Sequence, residues 1–232
     1  MAGPLIQIEA WVLRRLPPSD AFQRLVLFDA AHGTLTVLHR MPRKPNPDQI
    51  NPDLFDEVAG VVEGGSAAAG GFGGFGGAGG AGGFGDAGGG GGGLGFVKEL
   101  RVVARHERIG RDYETLQRAS AFASLVARNP VPEESRVEVF ALLRTVFAAF
   151  ASGAPPAVVY LKGCYRFARD EGYPVRQQWL ATLSPGLRAA AGFLLQTPLA
   201  EIGRCGLQLR DGDVLVRRLA EYLRGHTELE VE

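Results

Sequence analysis

From residue 5 to 15 the chain alternates. Ile6, Ile8, Ala10 and Val12 fall on one side, while Gln7, Glu9, Trp11 and Arg15 fall largely on the other. A period of two marks a half-buried strand. Residues 22–28 are dense in Leu, Val and Phe, and 34–40 alternate again, Leu35 and Val37 against Thr34 and Thr36. Between them Asp29-Ala30-Ala31-His32-Gly33 offers a glycine for positive φ, which predicts a hairpin. Residues 41–52 hold four prolines and read as a loop. Residues 55–63 and 96–104 complete a set of five strands. From Asp112 the period becomes helical, with Tyr113, Leu116, Ala119, Ala123 and Val126 near one face and Asp112 placed to cap 113–128. Pro132-Glu133-Glu134 opens a second helix with the stripe Val137, Phe140, Leu143, Phe147 and Phe150. Pro155-Pro156 opens a third, stopped near Glu171 by Gly172-Tyr173-Pro174. Shorter helices are expected at 185–196 and 213–224.

Strands first and helices after point to an α+β chain: a small five-stranded barrel of the oligonucleotide-binding (OB) type over 1–104, then a helical bundle over 105–232. Residues 64–95 hold 20 of the 33 glycines and read as a flexible loop joining the last two strands. Gly71, Gly73 and Gly76 formally spell a dinucleotide fingerprint, yet no helix follows to receive a pyrophosphate, and the match belongs to the glycine repeat. The longest apolar runs, such as 189–195, fall far short of the ~20 residues of a membrane span. No basic residue precedes the first apolar stretch, so the opening does not resemble a signal peptide, and a cytoplasmic location is expected.

Composition narrows the chemistry. Cys164 and Cys205 stand alone, which leaves neither a disulfide framework nor a paired-cysteine zinc site; both are expected in helix packing. His32, His39, His106 and His226 form no motif with either cysteine, and Lys44, Lys98 and Lys162 lack a Walker context. No enzyme activity, metal or cofactor is expected. The 232 residues carry a formal net charge of zero, −2 over residues 1–63 and +3 over 96–232, so nucleic acid could be gripped only by a local patch. Arg14, Arg15, Arg24, Arg40, Arg43 and Lys44 supply one, with Trp11 on the polar face of its strand as a stacking candidate. The alternative is that these arginines are solvated strand ends and that Trp11 packs beneath the helices.

The stretch EAWVLRRLPPSDAFQRLVLFDAAHGTLTVLHR (9–40) resembles the opening of the RecO family of recombination mediators. FVKELRVVARHERIGRDYETLQRASAFASLV (96–126) is similar to that family's last barrel strand and first helix, with Asp112, Tyr113, Leu116, Ala119 and Ser120 in the corresponding places. Glu171-Gly172-Tyr173-Pro174 resembles its Leu-Gly-Tyr turn. The resemblance implies a non-enzymatic mediator that binds single- and double-stranded DNA and anneals complementary strands. It also implies engagement of single-strand-binding protein and, with RecR, assistance in loading RecA. Two departures stand out. The four-cysteine zinc site that many members carry after this turn is missing, and the basic loop after the third strand is reduced to Arg43 and Lys44 among prolines. A scaffold of the same fold with weakened DNA binding is the alternative, and an uncharacterised cysteine-dependent enzyme a more distant one.

Overall fold

The computed structural model describes residues 3–19, 21–41, 51–64, 94–202 and 209–231. The expected glycine-rich loop, apart from its ends, and the basic pair Arg43 and Lys44 lie outside the described residues.

The strands are β1 (Leu5–Arg15), β2 (Phe22–Asp29), β3 (Gly33–Arg40), β4 (Glu57–Glu63) and β5 (Gly95–Ala104). They form one sheet in the order β1-β2-β3-β5-β4, and β4 pairs back onto β1 to close it. All pairings are antiparallel except the short parallel contact of Val37 and Leu38 in β3 with Gly95 and Phe96 in β5. Asp29 builds the β2–β3 hairpin. Its buried carboxylate accepts the backbone N–H groups of Ala31 and His32, both at 2.8 Å, and that of Glu9 at 2.9 Å. Gly33 follows at φ +74°, the left-handed conformation the turn requires.

Helices α1 (Tyr113–Arg128), α2 (Arg136–Ala151), α3 (Pro156–Asp170), α4 (Trp179–Thr182), α5 (Pro185–Gln196), α6 (Leu199–Ile202) and α7 (Leu209–His226) follow, making the architecture mixed α+β. Asp112 caps α1 as expected, its carboxylate accepting the Thr115 N–H at 2.8 Å. Lys162 on α3 closes the far end of α5, donating to the carbonyls of Leu194, Leu195 and Thr197 at 2.7–3.0 Å. On α2 the expected stripe is displaced: Val137 is exposed, while Val139, Leu142 and Val146 join Phe140, Leu143, Phe147 and Phe150 in the core. The helix is covered by the sheet on one side and by α3 on another, so its buried surface is wider than a single stripe.

Two apolar clusters meet along β1. Ile8, Ala10 and Val12 point inward with Leu25, Leu27, Val37, Val58 and Val62. Trp11 and Leu13 point outward into a larger cluster with Phe28, Phe55 and the helices. A strand covered on both sides reads as a continuous apolar run, and Ala10-Trp11-Val12-Leu13 is one.

Candidate nucleic-acid interface

Residues paired across an antiparallel ladder share a face of the sheet. On the outer face of β2 and β3 the rows are Phe22 with Arg40, Arg24 with Leu38, Val26 with Thr36, and Phe28 with Thr34; Arg14 of β1 joins the Val26 row. The face has two halves. Around Phe28 it is covered by α1 and α2, and around Arg24 and Arg40 it is open to solvent. Among the described residues, no carboxylate lies within ion-pair distance of Arg14, Arg24 or Arg40, and neither β2 nor β3 carries an outward acid.

The outward acids sit on the other three strands, β1, β4 and β5. Outward from β1 and β4 point Glu9, Glu57 and Glu63, with Glu99 of β5 beside them. Glu57 is paired with Arg144 of α2, and Glu63 with Lys98. This segregation accounts for a net-negative first segment that nonetheless presents a basic surface. A groove of about 510 Å³ runs over the acidic side, lined by Gln7, Glu9, Ala59, Val61, Arg101 and Phe140.

The structure separates the sequence-based candidates. Arg14, Arg24 and Arg40 share one face. Arg15 does not join them freely, because its guanidinium is engaged with Asp53 at 2.6 Å. Burial alone would raise the Asp53 pKa, but hydrogen bonds from Arg15 and the Leu54 N–H, with the charges of Arg15 and Arg105, bring it below the usual carboxylate value. Trp11 is a correction. It is 0% exposed, wedged among Phe147 at 5.3 Å, His106 at 5.6 Å and Phe140 at 6.0 Å between ring centroids, and cannot stack on a base. Its position opposite Glu57, on the face that the helices cover, explains why: alternation correctly set it apart from the barrel interior but did not reveal a second core on the other side. Burial also pushes the His106 pKa below that of a free histidine.

Two aromatic residues that the sequence did not single out, Phe22 and Phe96, lie on the open half instead. Phe96, at the start of β5, is 42% exposed and lies beside Leu38 in the parallel pairing. Its ring meets that of Phe22 edge to face, with centroids 6.3 Å apart. The available signal was position: both are large apolar residues at the ends of strands, where the sheet is open. The Cys164 thiol is fully buried and its pKa is pushed up to about 12, so it is protonated at neutral pH. Among the described residues no cluster of His, Cys, Asp or Glu is arranged to hold a metal, and no helix is long and apolar enough to cross a membrane.

Comparison of the chain with protein-family models and with curated proteins finds no match.

Proposed function

We propose that this chain is a non-enzymatic, DNA-binding recombination mediator built as an OB-type barrel with a helical bundle, akin to the RecO family that its sequence resembles. The observation that carries the reading is the open half of the β2–β3 face, where Arg24 and Arg40 stand, with half-buried Arg14 of β1 at its border, all without acidic partners among the described residues. Arginine forks suit phosphate, and a surface of uncompensated cations gains free energy by releasing the counterions condensed on a nucleic acid. Annealing follows from the same physics. Two complementary strands repel through their phosphates, base pairing supplies the driving force, and a cationic surface need only screen that repulsion while the strands search for register. No nucleotide is consumed. In the cytoplasm the partners would be single- and double-stranded DNA, single-strand-binding protein and RecR, with RecA loading as the downstream outcome.

A scaffold of the same fold with reduced DNA binding is the second reading, favoured by the groove on the acidic side. Mixing complementary oligonucleotides, one carrying a fluorophore and the other a quencher, separates the two. The mediator reading expects faster quenching with protein than without, in the absence of any nucleotide. Unchanged annealing at low salt would contradict it.

A further inference from the structure

The open half of the basic face is not purely ionic. Phe96 is the largest exposed apolar ring on the sheet, and three features hold it in place. Phe22 supports it edge to face, and Leu38 flanks it in register. Gly95, which precedes it, is buried so closely against Val62 that a Cβ there would crowd that side chain, which fixes where β5 enters the sheet. The carboxylate beside it, Glu63, is its register partner on β4 and is neutralised by Lys98. The cations lie on the hairpin side of the ring: Arg40 is across the ladder from Phe22, and Arg24 is across from Leu38. Strands lie about 4.8 Å apart and same-face neighbours about 7 Å apart along a strand, so both guanidinium-bearing positions are within a side chain's reach of the ring pair.

An exposed ring beside arginines without acidic partners among the described residues is complementary to a ligand that is anionic and flat at once. A phosphate-linked base is such a ligand, each unit carrying both the charge and the flat face, whereas an acidic peptide would need a separate apolar side chain to engage the ring. We propose that Phe96, supported by Phe22, is a base-stacking platform that gives this surface a preference for single-stranded over duplex nucleic acid. The inference rests on the DNA-binding reading above and adds to it a strand preference and the residue that sets it. Bases of a duplex are already stacked on their neighbours and cannot offer a face to Phe96. Those of a single strand can, whatever their identity, because every base has a π-face.

The test is fluorescence anisotropy of the full chain on an oligo-dT strand and on a duplex of equal length, with wild type, Phe96→Leu, Phe96→Tyr and Arg40→Ala, each checked by thermal melting. Phe96→Leu keeps the apolar bulk and removes the ring, so single-strand affinity should fall about tenfold. Its duplex affinity and its salt slope should match wild type, because no phosphate contact is lost. Phe96→Tyr should bind single strands as wild type does, and Arg40→Ala should weaken both ligands. If Phe96→Leu binds single strands at wild-type strength, or loses both ligands equally, the platform is refuted while the basic face stands on the Arg40→Ala result. If wild type binds neither ligand, the DNA-binding reading fails and the platform falls with it.

Discussion

Trp11 shows how one side chain can be decisive for stability. It is fully buried where β1 meets α1 and α2, and its ring touches Phe140, Phe147 and His106, so it belongs to the cluster that unites strands and helices. Its indole Nε1 finds no hydrogen-bond partner among the described residues, an offset to the packing it provides. Trp11→Ala should therefore lower folding stability by about 3–5 kcal/mol, as large-to-small changes of buried aromatics do. Urea denaturation would show it as a lower midpoint. A variant that unfolded with wild type, and lost only DNA affinity, would return Trp11 to the surface. Arg136 is tied to the fold in a similar way. Its Nη1 donates to the Ala31 carbonyl at 2.8 Å and its guanidinium packs over Gly33, so it braces the β2–β3 hairpin from α2. At this scale the sequence was informative about residue type and poor about surroundings. Arg14, Arg24 and Arg40 could be named from charge, but that Asp53 occupies Arg15 depends on a contact across 38 residues that no local pattern encodes.

Among the elements, the closure of the sheet turns on β4 and β5. Their pairing carries register shifts between Glu57 and Val58 and between Val61 and Val62, and Gly60 lies in the stretch between them. A Cβ at Gly60 would overlap the Glu99 carbonyl oxygen, so backbone must approach backbone there without a side chain between. Gly60→Ala should force the two strands apart at a cost of about 2 kcal/mol, lowering the melting temperature by roughly 5 °C for a chain of this size. Melting at the wild-type temperature would mean that the ladder relaxes there without cost. The long elements were legible for physical reasons. The helical period and the Asp112 cap located α1, the prolines located the starts of α3 and α5, and alternation located β1 and β3. The short helices α4 and α6 were not anticipated, because four-residue turns leave no measurable period. The β4 start was placed two residues early, at Phe55. That residue sits at φ +66°, outside any strand conformation, and its side chain is buried against Phe147.

Across the whole molecule, charge is sorted rather than abundant. The chain has as many acidic as basic side chains, 25 of each, so bulk attraction to a polyanion is absent. The outward glutamates lie on β1, β4 and β5, two of them engaged with Arg144 and Lys98, and one of these, Glu63, borders the basic rows across Phe96; the arginines of β2 and β3 lack such partners among the described residues. Sequence order could not foresee this, because whether Arg24 and Arg40 adjoin or oppose each other depends on the hairpin register. DNA binding by this chain therefore requires that one surface to be electrostatically active. Its most direct test is the salt dependence of single-strand binding by wild type, by the double variant Arg24→Ala with Arg40→Ala, and by Arg176→Ala on the exposed turn after α3. Each phosphate contact on a single strand contributes about 0.7 to the slope of log affinity against log salt, so the double variant should bind more weakly with a slope shallower by about 1.4. Arg176→Ala should match wild type. Unchanged affinity and slope in the double variant, with a loss on Arg176→Ala, would place any DNA contact on the helices and contradict the account.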